Sequence, residues 1–177
     1  MRKSDRRSFI ALGAAALAAA PPRAWSQTAA AEQRLRERGI ELPRAMAPVA
    51  NYASHVRAGN LVFLAGTGPV KPDSTFAMGK DATIEEAHGH ARLAGLSLPS
   101  MLRAATGGFD AVARAVKVLG MVNCGPEFTE HPKVINGCSD LFVEVFGDRG
   151  RHARSAVGMP SLPFNISVEI EAIFEVA

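Results

Sequence analysis

From Val168 to Val176 the chain alternates with a period of two. Val168, Ile170, Ala172, Phe174 and Val176 are apolar, and Glu169, Glu171, Ile173 and Glu175 stand between them. That period predicts a strand with one buried face and one largely polar face that gathers the carboxylates. Val112 to Val122 is a second long strand candidate. Met46 to Gly66 reads as an extended segment and a hairpin turning at Ala58-Gly59-Asn60, and Gly66 to Gly79 as loop. Helical periods occupy the remainder. Thr83-x-x-Glu86 is a capping box, and Ile84, Ala87, Ala91, Ala94 and Leu98 carry its helix towards Leu102, with a kink or a stop expected at Pro99. Ile135, Cys138, Phe142 and Val145 mark the apolar stripe of a second helix, Pro132 to Phe146, with Pro132 suited to its first turn. Gln33 to Arg38 is a short amphipathic helix stopped by Gly39 and Pro43. Two long helices set between strands of one sheet give an α+β sandwich with the helices on one face.

The front of the chain follows a different logic. Arg2, Lys3, Arg6 and Arg7 precede an Ala-rich apolar run from Phe9 to Ala20, and Ala24-Trp25-Ser26 fits a small-residue cleavage site. Ser4-Asp5-Arg6-Arg7-Ser8-Phe9-Ile10 carries the twin-arginine pattern, so residues 1–26 are expected to be an export signal read by the twin-arginine translocase, with a periplasmic destination. The run is too short for a permanent membrane anchor. Its loss would remove Arg2, Lys3, Arg6, Arg7 and Arg23 against Asp5, taking 20 basic and 17 acidic residues to 15 and 16. A near-neutral mature chain argues against a nucleic-acid partner, which needs a retained basic face. Residues 27–45 then form an N-terminal extension with the short helix, and residues 46–177 one domain with a proper core.

Candidate chemistry concentrates near the C-terminus. Arg154 opens Arg154-Ser155-Ala156-Val157-Gly158-Met159-Pro160-Ser161-Leu162-Pro163, just upstream of the carboxylate strand. A planar guanidinium suits a small carboxylate, leaving Glu169 to handle a proton or a water. The bland alternative is an interface salt bridge from Arg154 to Glu169 or Glu171. His88 and His90, two apart on a helix, point in different directions and cannot share a metal, so they read as a surface pair. Gly66-Thr67-Gly68-Pro69 lacks the Lys and Ser/Thr of a phosphate loop. Cys138 lies on an apolar stripe and Cys124 in a loop, which reads as two free thiols.

Arg154-Ser155, Val157, Leu162-Pro163 and Val168-Glu169-Ile170-Glu171 together resemble the C-terminal signature of the Rid family, the reactive-intermediate imine/enamine deaminases also known as endoribonuclease L-PSP. Asn51-Tyr52-Ala53 with Gly59 to Gly66 is similar to that family's N-terminal hairpin, Val116 to Val122 to its central strand, and Val134-Ile135-Asn136 to its second helix. The resemblance implies a chorismate-mutase-like fold and a homotrimer whose sheets form a central barrel, with sites in the clefts between subunits. It also implies hydrolysis of 2-imino or enamino acids to 2-oxo acids and ammonia without metal or organic cofactor. Carried over, Arg154 binds the substrate carboxylate, Glu169 positions and deprotonates the attacking water, and Tyr52 and Asn136 line the pocket. Ala65 and Ala156 depart from the hydroxyl and thiol that many active members carry. The competing reading is therefore a non-catalytic trimer that binds small carboxylates or protects proteins.

Overall fold

The computed structural model describes residues 23–79 and 82–177, with side chains described from residue 30 onward. The elements in chain order are α1 (Arg23–Glu37), β1 (His55–Ala58), β2 (Leu61–Thr67), α2 (Ile84–Thr106), β3 (Val112–Asn123), α3 (His131–Phe146), β4 (Ala153–Met159) and β5 (Val168–Val176). Short 3-10 turns occupy Gly147–Gly150 and Pro163–Asn165. One mixed sheet runs in the order β1-β2-β5-β3-β4. All its neighbours are antiparallel except β3 and β4, which are parallel, and α3 supplies the long crossover such a pair needs.

Local sequence accounts for most of these boundaries. Gly59, at φ 61, takes the left-handed position in the two-residue turn between β1 and β2. The Thr83 side chain accepts from the Glu86 N–H while the Glu86 carboxylate accepts from Thr83 N–H at 2.8 Å, closing the capping box that starts α2. On β5 the even-numbered residues are buried beneath the helices, and Glu169, Ile173 and Glu175 are half-buried, with Glu171 exposed, on the other face. The core lies between sheet and helices. Phe142 meets Phe146 and Phe174 at centroid distances of 6.2 and 5.3 Å, and Phe109 meets Phe146 edge-on at 5.3 Å. Each such fully buried ring contributes about 1.5–3 kcal/mol from surface removed from water. Gly137 sets the approach of α3 to α2, because a Cβ there would stand 2.1 Å from the His88 carbonyl oxygen.

Three expectations change. Helix α2 does not stop at Pro99: Leu98 and Leu102 are fully buried on either side, so packing outweighs the missing N–H. The helical layer has three members where two were expected. Helix α1 is longer than Gln33 to Arg38 and buries Ala31 and Leu35 in the common core, and Arg103 pairs with Glu32 at 2.9 Å. The segment expected as an extension therefore packs with the domain. His88 and His90 are both half-buried, not a surface pair, and His90 Nδ1 meets Ser167 Oγ at 2.9 Å. Arg154 itself lies on strand β4, at the sheet edge. Of the expected signal, residues 1–26, residues 1–22 lie outside the described ones and residues 23–26 form the first turn of α1. No helix among the described residues is long and apolar enough to cross a membrane.

Candidate functional site

The four expected site residues form two pairs on different parts of the protomer. Arg154 pairs in register with Val118 of β3, a fully buried residue under the helices, so its side chain leaves the sheet on the helix face. There it meets α3, and Arg154 Nη1 donates to Asn136 Oδ1 at 2.8 Å and to Ser139 Oγ at 2.9 Å. Glu169 pairs in register with Met121, on the opposite face. A cleft of about 610 Å³ opens beside it, lined by Tyr52, Ser54, Gly66, Thr67 and Phe164 among others. Arg154 with Asn136, and Glu169 with Tyr52, are thus brought together within each pair and held apart between pairs. One protomer cannot present both to a single small substrate.

Around Arg154 the polar groups are interlocked. Ser139 Oγ also meets His152 Nε2 at 3.1 Å, and the Gly150 carbonyl meets His152 Nδ1 at 2.7 Å. Burial holds His152 below the ordinary imidazole range, against the Gly150 contact, and the Arg154 cation acts in the same direction as burial. A neutral imidazole therefore braces the serine that braces the guanidinium. No carboxylate pairs with Arg154 among the described residues. Its free edge remains able to accept a planar anion. Cys138, beneath this cluster, is fully buried and free, its thiol pushed up to about 12 by burial against the opposing pull of Arg154. Cys124 is also free, with Sγ 3.4 Å from His131 Nε2.

Glu169 has the reverse character. It has no ion pair among the described residues, and burial first, then the negative charge of Glu171, raises its carboxyl above the usual carboxylate range. Among the described residues it is the only charged one lining its cleft, whose walls are mainly apolar. Gly66 is fitted against it, since a Cβ there would lie 2.3 Å from Glu169 Oε1. A half-buried carboxylate with a raised proton affinity is a better proton acceptor than a solvated glutamate. Ala65 lines this cleft, whereas Ala156 packs against the core on the helix face.

Sequence reasoning missed Ser139, His152, Gly66 and Phe164. Ser139 was within reach, because it lies three residues from Asn136 and so shares its helix face. The others depend on register and on loop geometry, which no local spacing reports.

The YjgF/chorismate mutase-like, "putative endoribonuclease" family model matches residues 32–175. Protein TCP17 of Trypanosoma cruzi is 43% identical over 156 residues, covering 86% of this chain and 96% of that protein. A crystal structure of an Agrobacterium tumefaciens protein of unknown function is 38% identical with a TM-score of 0.76, covering 86% of this chain and 97% of that one. The YjgF gene product of E. coli is similar at 25% identity and a TM-score of 0.56, covering 75% and 93%.

Proposed function

Because the chain belongs to the YjgF/RidA-like family, we propose that it hydrolyses 2-imino or enamino acids to 2-oxo acids and ammonia, in a site shared between subunits of a homotrimer. The observation that carries this reading is the division of the machinery. Arg154 and Glu169, which among the described residues have no carboxylate and no cation partner respectively, lie on opposite faces of one sheet. Each is half of a carboxylate-anchoring, proton-handling site, and rotation about a threefold axis is the simple way to bring one copy's half to another's.

In this reading Arg154 of one subunit grips the substrate carboxylate through its free edge, with Asn136 and Ser139 fixing the guanidinium plane. Glu169 of the neighbour takes a proton from water as the water oxygen bonds to the imine carbon. It returns that proton to nitrogen to give a carbinolamine, then carries the hydroxyl proton to the same nitrogen as the C–N bond breaks, so that ammonia leaves as the carbonyl forms. Water is the nucleophile, so Ala65 and Ala156 remove nothing that the step requires. Positioning plus one acid–base group supplies about 10²–10⁴-fold, in keeping with an imine that already hydrolyses unaided. The apolar cleft, with one carboxylate and no basic residue among the described ones, supports a small acid over a polynucleotide. We place the mature protein in the periplasm on the strength of the twin-arginine pattern alone.

The test is complementation. An amino-acid oxidase generates the imine, and 2-oxo acid release is followed with Arg154→Ala, with Glu169→Ala, and with the two variants mixed after subunit exchange. Each variant alone should be inactive and the mixture should recover a fraction of wild-type turnover. Unchanged rates in the single variants would end the enzymatic reading, and ligand binding without turnover in the wild type would favour a carboxylate-binding module.

A further inference from the structure

Phe164 (φ 55, ψ 17) and Asn165 (φ 56) are consecutive non-glycine residues in the left-handed region. Asparagine tolerates that conformation, but an aromatic residue there must be held by its surroundings. The holder is Asn123, the last residue of β3 and 3% exposed. Its Nδ2 donates to Asn165 Oδ1 at 3.1 Å and to the Ile166 carbonyl at 3.0 Å, and its backbone N–H donates to the Ser167 carbonyl at 2.8 Å. Held this way, Phe164 does not turn into the core. It stands 74% exposed as part of the wall of the Glu169 cleft.

The rest of that wall explains what such an aromatic is for. Met46, Val49, Phe76, Met101 and Ile166 line the cleft with it. On this side of the site the walls offer apolar surface well beyond the reach of a three-carbon imino acid, and among the described lining residues only Glu169 is charged. Resting on the reading of this cleft as the substrate site, we propose that Phe164, positioned by Asn123, makes it selective for 2-imino acids with long apolar or aromatic side chains over those derived from alanine. Phe164 is the specificity contact and Asn123 a positioning residue.

The experiment compares imines generated from leucine, phenylalanine and alanine. With Phe164→Ala, kcat/KM for the leucine and phenylalanine imines should fall more than tenfold through KM, with the alanine imine changed less than twofold. Phe164→Leu should restore most of the loss. Asn123→Ala should raise KM for the bulky imines in the same way with kcat held within about twofold, an effect that loss of stability alone does not produce. An equal fall for all three substrates, or dissociation of the assembly with selectivity intact, overturns the proposal. If the wild type releases no 2-oxo acid from any imine, the deaminase reading fails and selectivity is read by calorimetry with 4-methyl-2-oxopentanoate and pyruvate. A preference for the former that Phe164→Ala abolishes then supports the inference, and equal or absent binding overturns it.

Discussion

Replacing Gly66 by Ala separates the fold from the chemistry more cleanly than any change to Glu169 itself. The new methyl would stand 2.3 Å from Glu169 Oε1, 3.1 Å from its Cδ and 3.2 Å from its Cγ, so the carboxyl must retreat by about 1 Å to regain van der Waals distance. Gly66 does not occupy the left-handed region, so the backbone accepts alanine. The atoms in the way belong to the far end of a half-buried side chain and can swing aside. An off-rotamer adjustment of that size costs about 0.5–1.5 kcal/mol. For a domain of this length that corresponds to a fall in Tm of only about 1–6 °C. Catalysis is far less forgiving, because a displacement of about 1 Å in a reacting group costs about 10²-fold in rate. Calorimetry and the oxidase-coupled assay, run on the same preparation, should therefore show a nearly native transition with turnover reduced about a hundredfold. Wild-type turnover in a Gly66→Ala protein of near-native stability would refute the assignment of Glu169 as the proton-handling group.

Gly137→Ala should do the opposite: its Cβ meets the His88 carbonyl oxygen at 2.1 Å and the Arg92 backbone nitrogen at 3.0 Å, atoms that cannot swing aside, so a loss near the upper end of the usual 1–3 kcal/mol for overpacking is expected in urea titration. A loss below about 0.5 kcal/mol would mean that α2 and α3 are not locked there. Leu35→Ala should cost about 2–5 kcal/mol, since Leu35 is 4% exposed in the shared core, and an unchanged transition midpoint would show α1 to be an appendage. Glu171→Gln should move the acidic limb of the pH–rate profile downward, because the Glu171 charge is the second cause, after burial, of the raised Glu169 carboxyl. The stability sign agrees: a carboxyl whose folded pKa is raised favours the fold when protonated, and that contribution is lost as pH rises through the folded pKa, a loss Glu171→Gln should lessen. An acidic limb that stays in place would remove Glu169 as its source.

The parts of this fold that were legible in the sequence are those written in local periods. The alternation of β5, the Thr83–Glu86 box, the Gly59 turn and the α3 stripe each use interactions within a few residues, and the structure places them as expected. What spacing conceals is topology. Arg154 and Glu169 are 15 residues apart and look adjacent, yet β3 pairs with β5 on one side and β4 on the other, and the registers send the two side chains to opposite faces. The continuity of α2 through Pro99 was hidden for a related reason, because the burial of Leu98 and Leu102 in the common core is a tertiary effect that spacing within the helix does not report. His90 likewise reads as polar surface until Ser167, 77 residues away, arrives beside it.

The strict alternation of β5 also has an evolutionary consequence. Its nine residues interleave two independent texts: Val168, Ile170, Ala172, Phe174 and Val176 are frozen by close packing, while Glu169, Glu171, Ile173 and Glu175 answer to whatever meets the other face. A lineage can rewrite every second letter without disturbing the core. A library randomised at Glu171, Ile173 and Glu175 alone should therefore yield mostly folded chains, in which changes of assembly or acidity are sampled at little cost to the architecture.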